Sequence, residues 1–125
     1  MREIILDTET TGISPDDGDR IVEIGCLEVE HQVPTGRTFQ CYFNPERPMS
    51  RGAANITGIS DAFLRDKPKI AEKVDDFLAF IGDSKLVMHN APFDMGFLNH
   101  ELALIGRPAL GYDRVVDTLE IARTK

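Results

Sequence analysis

The sequence predicts a single α/β domain built on a mixed sheet, and three observations carry that expectation. The N-terminal third holds three apolar, β-prone runs separated by short polar segments. The remainder alternates helical periodicity with short apolar runs. The length, 125 residues, suits one domain with a core of its own. A strand meander followed by alternating helix and strand builds a layered structure with both antiparallel and parallel neighbours.

The elements follow in order. "REIILD" (2–7) reads as a first strand, apolar on both faces at its start as a central strand should be. "SPDDGD" (14–19) is a loop by composition. "RIVEIGCLEVE" (20–30) and "RTFQCYF" (37–43) read as second and third strands, with Pro34 and Gly36 marking the turn between them. "SDAFLRD" (60–66) offers a Ser60 cap and a short helix. In "KPKIAEKVDDFLAFIG" (67–82), Ile70, Val74, Phe77, Leu78 and Ile81 recur at helical spacing between Pro68 and Gly82. "KLVMHN" (85–90) is a short fourth strand. "PFDMGFLNHELALIG" (92–106) is a helix with Pro92 in its first turn and Gly106 as terminator. "RVVDT" (114–118) is a weak fifth strand, and "DTLEIARTK" (117–125) begins another helix.

The totals narrow the function classes. No apolar run approaches the ~20 residues that span a bilayer, and "MREIILDTE" carries acids where a signal peptide needs an apolar stretch. A cytoplasmic protein with no membrane partner is expected. Cys26 and Cys41 form no C-x-x-C pattern and read as small buried hydrophobes, a disulfide between them being the lesser alternative. A net charge of -7 argues against a protein that coats nucleic acid through many Lys and Arg contacts. It leaves room for an enzyme that grips one strand end through cations.

Three acids stand out. Asp7 and Glu9 are two apart in a strand and share a face with Ile5, which is expected to be buried. Two like charges there repel, and burial raises the cost of both; a divalent cation removes both penalties. Taken alone, the pair fits two solvated acids at a strand's end equally well. Asp94 lies in the first turn of the helix after strand four, where the helix macrodipole also favours an acid. If strands one and four are parallel neighbours, all three acids leave carboxyl ends that meet in one crevice, the usual ligand site of open α/β sheets. Three carboxylates suit Mg²⁺ or Mn²⁺. Two such ions, roughly 4 Å apart, can cut a phosphodiester.

"LDTETTG" (6–12), "RIVEIG" (20–25), "NITGIS" (55–60) and "LVMHNAPFDMGFLNHEL" (86–102) together resemble the DEDD-type 3′–5′ exonucleases, in particular their proofreading members. The likeness runs over essentially the whole chain and implies a ribonuclease H-like fold. It implies that Asp7, Glu9 and Asp94 hold two Mg²⁺ or Mn²⁺ ions. Thr10, Thr11 and Gly12 would lie against the terminal nucleotide of a single-stranded or frayed DNA 3′ end. Ile56 and Thr57 would line the pocket for its base or sugar, Phe93, beside Asp94, would wedge against the end nucleotide, and Asn90 would also bind substrate; many members carry His at the place of Thr57. A DNA polymerase catalytic subunit and accessory subunits would be partners of the full-length protein.

The family's third motif, a His and a fourth Asp about one helical turn apart, is not found in this sequence. The His normally serves as general base. Of the three histidines, His31 reads as surface, His89 as a structural or supporting residue, and His100 as solvated. Asp117 pairs with Glu120 at capping spacing, a supporting role near the metals being the alternative. Residues 1–125 are therefore expected to be a C-terminally incomplete exonuclease domain, a piece of a longer enzyme with weak or no turnover alone. Rival readings are an RNA-trimming, oligoribonuclease-like enzyme and a non-catalytic module that docks a polymerase. The acids of "DDGD" (16–19) lack the bidentate Glu of a Ca²⁺ loop and read as solvated.

Overall fold

The computed structural model describes residues 2–119. Its centre is β1 (Arg2–Thr10), flanked by antiparallel β2 (Ile21–Glu30) and parallel β4 (Lys85–Met88). Beyond these lie β3 (Val33–Tyr42), antiparallel to β2, and β5 (Val115–Asp117), parallel to β4, giving the order β3-β2-β1-β4-β5. The mixed sheet inferred from the element order is present, and the first and fourth strands are parallel neighbours.

Among the described residues, the helices after β3 include α1 (Arg51–Thr57), α2 (Asp61–Leu64), α3 (Ile70–Ile81) and, after β4, α4 (Ala91–Leu104). Ser50 and Ser60 cap α1 and α2 by accepting from Ala53 N and Phe63 N. Helix α3 buries Ile70, Val74, Phe77 and Ile81, one stripe at helical spacing, and Ile70, Phe77 and Ile81 share a core with Ile4, Leu6, Ile24 and Leu86 of the sheet. Helix α4 adds Met95, Phe97 and Leu98 to the same core. A second, smaller cluster of Val22, Met49, Ile59 and Leu64 seats α1 and α2. Among the described residues, no helix is long and apolar enough to cross a membrane. Cys26 and Cys41 are both free thiols.

Four expectations need correction. First, β1 continues through both acids to Thr10, and its buried residues are Ile4, Leu6, Thr8 and Thr10. Ile5, on the Asp7 face, is 45% exposed rather than buried. That face carries Leu27 and Val87 opposite Ile5 but is not the one on which the main core packs.

Second, the β2–β3 turn is at His31 and Gln32, both at positive φ (51° and 67°). Pro34 lies inside β3 on the sheet edge, where its missing N–H is tolerated. Gly36 (φ 90°) sits where the β2–β3 register shifts, a bulge and not a turn. Third, α1 forms from a segment given no helix of its own by its periodicity. Fourth, Asp19 is not solvated: its side chain is 15% exposed and bonded inward. The helix expected over 117–125, with the Asp117–Glu120 pairing, runs beyond the described residues.

Candidate active site

Strand β1 and the head of α4 bring the three acids to one end of the sheet. Asp7 and Glu9 point to the open face; Glu9 stands directly across from Glu23 of β2. Burial, then Asp7, then Glu23 push the Glu9 carboxyl above its ordinary range. Thr8, between them, points the other way and donates its hydroxyl to Asp94 Oδ1 at 2.5 Å.

Asp94 is 4% exposed. Its carboxyl is pushed up to about 6, chiefly by burial, against the Thr8 hydrogen bond and with added repulsion from Asp7, Glu9 and Asp117. The three acids therefore feel one another. Among the described residues, however, no three Asp, Glu, His or Cys side chains converge closely enough to hold one ion between them.

Beside Glu9 and Thr8 opens a cleft of about 500 Å³. One wall is the turn after β1, with Thr10, Gly12 and Ile13; a second is α1, with Ser50, Gly52, Ala53, Ile56 and Thr57; Phe93 of α4 closes the third side. Ile13 and Ile56 are both 86% exposed, an uncommon state for isoleucine unless something is to cover it. Phe93 is held from behind by Phe97, ring centroids 5.0 Å apart. Thr57 spends its hydroxyl on its own helix end, donating to Ala53 O and accepting from Ile59 N.

Thr11 does not line the cleft: it is fully buried, its hydroxyl donating to Asp19 and accepting from Arg20 N. Asn90 starts α4 at φ 68° and donates its backbone N–H to Asp117 Oδ1 at 3.0 Å. Asp117 also accepts from Leu119 N, so it ties β5 to the head of the Asp94 helix. His89 Nδ1 lies 3.1 Å from Thr118 Oγ1. His31 sits at the distant hairpin turn, 3.7 Å from Glu30, and none of the three histidines lines the cleft.

Sequence reasoning missed Ile13, Ser50 and Asp19 as cleft residues, and the partnership of Arg20 with Glu101. An apolar residue following a turn glycine was the available signal for Ile13. Nothing local marks Glu101, whose partner is far away in the chain.

The comparisons with known proteins fit this geometry. A family model described as exonuclease, of the RNase T type, matches residues 4–125. The chain is 56% identical over 127 residues to DNA polymerase III subunit epsilon of Rickettsia felis, covering 99% of this chain and 56% of that protein. Against the same-named subunit of Escherichia coli strain K12 it is 42% identical over 129 residues, covering 98% and 53%. The chain thus spans about half the length of these curated relatives.

Among solved structures, metal-free E. coli exonuclease I in complex with single-stranded DNA superposes with a TM-score of 0.86 at 19% identity, over 98% of this chain and 29% of that one. This likeness bears out the ribonuclease H-like arrangement. Exonuclease X in complex with 5′-overhanging duplex DNA gives a TM-score of 0.74 at 28% identity, over 98% and 63%.

Proposed function

The chain belongs to the RNase T exonuclease family, and from that premise we propose that it is the 3′–5′ exonuclease region of a DNA polymerase III epsilon subunit, a cytoplasmic proofreading nuclease that docks to a polymerase. The observation that carries this reading is Glu9 at the rim of a cleft with apolar walls, with Asp7 two residues before it on β1 and the buried Asp94 held by Thr8 between them.

An all-oxygen set of carboxylates fits Mg²⁺ or Mn²⁺, since a hard divalent cation offsets the burial and, secondly, the mutual repulsion that now raise Glu9 and Asp94. Asp7, Glu9 and Asp94 would supply the carboxylates, although their side chains do not converge on one point in this structure. Bound divalent ions supply activation of water and stabilisation of the leaving 3′ oxygen.

The chain's own residues do the rest. Thr8 fixes one Asp94 oxygen, so the carboxylate is oriented before any ligand arrives. Phe93, braced by Phe97, and the exposed Ile13 and Ile56 offer apolar surface to a terminal base and sugar, covering which removes their contact with water. With no histidine in the cleft, proton abstraction from water lacks its usual base, and we infer weak turnover for this chain on its own.

The test is digestion of a 3′-labelled, mismatched primer–template with Mn²⁺, beside EDTA and Asp7→Ala controls, and an RNA strand of matched sequence. The reading expects slow release of mononucleotides from the DNA 3′ end, abolished by both controls. Preference for RNA would favour a trimming enzyme instead. Absence of Asp7-dependent Mn²⁺ binding, with no release, would leave only a docking module.

A further inference from the structure

The acidic loop 16–19 contributes one residue that the site chemistry does not explain. Asp19 turns back under the turn after β1. Its Oδ1 accepts the Thr11 hydroxyl at 2.8 Å and its Oδ2 accepts Ser14 N at 3.1 Å, while Arg47 stands 3.8 Å away. The carboxylate fills the notch left by Gly12: a Cβ there would meet Asp19 Oδ2 at 2.4 Å.

Thr11, the residue Asp19 holds, has every polar group engaged. Its N–H donates to Arg20 O and its carbonyl accepts from Ser50 N, the cap of α1, each at 2.9 Å. Its hydroxyl also accepts from Arg20 N at 3.0 Å. Arg20 then reaches across the molecule. Its Nε and Nη2 donate to both oxygens of Glu101, at 2.8 to 3.0 Å, and Glu101 also accepts from Ile21 N. Glu101 is 2% exposed and lies on α4, the helix that carries Phe93 and Asp94.

One continuous set of hydrogen bonds therefore joins all three walls of the cleft: the Gly12–Ile13 turn, the start of α1, and α4. We propose that Asp19, acting through Thr11, is a positioning residue that locks the turn to α1 and, by way of Arg20 and Glu101, to the Asp94 helix. The inference rests on the reading of the cleft as the nucleotide site for its functional consequence, though not for the mechanical one. A charged, fork-shaped group bonded to a carboxylate by two parallel contacts resists sliding in a way a single hydrogen bond does not. Misplacement of a binding wall by about 1 Å is costly in such sites.

The experiment compares wild-type chain with Asp19→Ala, Asp19→Asn and Thr11→Val. Three readouts are taken: amide hydrogen exchange, Mn²⁺ binding by electron paramagnetic resonance, and affinity for thymidine 5′-monophosphate in Mn²⁺. Expected is a tenfold or greater rise in exchange confined to residues 10–14, 20–21 and 50–53 in Asp19→Ala and Thr11→Val. Mononucleotide affinity should fall about tenfold while Mn²⁺ affinity stays within twofold. Asp19→Asn, which keeps an acceptor for Ser14 N, should recover part of both losses. Unchanged exchange at 10–14 in the folded variants, or a uniform rise across the sheet, would overturn the proposal. If wild type binds no mononucleotide, the nucleotide reading fails, and the exchange data still decide the positioning role.

Discussion

Asp94 carries a carboxyl whose ionised form the fold disfavours, a cost that a bound cation would offset on the function proposed above. It sits in the first turn of α4, where the helix dipole favours a negative charge, yet burial and the nearby acids outweigh that and the Thr8 hydrogen bond. Its carboxyl titrates at about 6 in the fold against an ordinary 3.8. The native state therefore holds this proton more tightly than the unfolded chain does. Its contribution is fully present below 3.8 and is lost as pH rises through 6.

That span converts to ~3 kcal/mol at most. In EDTA, thermal melts of wild type should lose stability relative to Asp94→Asn between about pH 4 and about pH 7. Added Mn²⁺ should stabilise wild type progressively more across the same interval, and leave Asp94→Asn nearly unmoved. Parallel pH profiles for the two proteins in EDTA would show that Asp94 ionises freely and is not the strained member of the set.

At the scale of elements, the tetrapeptide Thr-Gly-Ile-Ser occurs twice, at 11–14 and 57–60. Both serines cap the short helical turn that follows, accepting from Asp17 N and Phe63 N. The isoleucines part company: Ile13 is 86% exposed and Ile59 is 9% exposed. Local chemistry thus announces the cap and is silent on burial, which the surrounding elements decide.

The β2–β3 hairpin makes the same point about turns. Proline and glycine were the visible punctuation, but the chain reverses at His31–Gln32 and uses Gly36 for a bulge. Two consecutive positive φ values are the requirement of a type I′ turn, which Asn-Gly satisfies best. Gln32→Gly should accordingly raise stability by ~0.5–1 kcal/mol, read from the urea midpoint, whereas Gly36→Val should lower it. A destabilised Gln32→Gly would mean the left-handed turn is not the one populated. Strands and the long helices were legible because periodicity is a local property. The turn, the bulge and α1 were not, because pairing and capping partners chose them.

For the molecule as a whole, the acids at the sheet end were legible from spacing and strand order, and the network behind them was not. Asp7 and Glu9 lie in one strand and Asp94 in the first turn of a helix, so the sheet order suffices to bring them to the same end. Glu101 lies on a helix face where Arg20, its partner, is 81 positions earlier in the chain. Only the fold brings β2 and α4 together, so no window of sequence contains the contact.

The size of that contact is testable. Glu101→Ala strands Arg20 and Ile21 N, and Arg20→Ala leaves a carboxylate that is 2% exposed without its cation. Each should cost ~3–5 kcal/mol, since removing one member of a buried pair leaves the other uncompensated. The double variant Arg20→Ala/Glu101→Ala should cost less than the sum, with a coupling of ~1–3 kcal/mol, measured by urea unfolding of all four proteins. Additive losses would mean that Glu101 acts mainly through Ile21 N and that the guanidinium is incidental. A coupling of the expected size would make this pair the main polar tie between the antiparallel half of the sheet and the helix that presents Asp94.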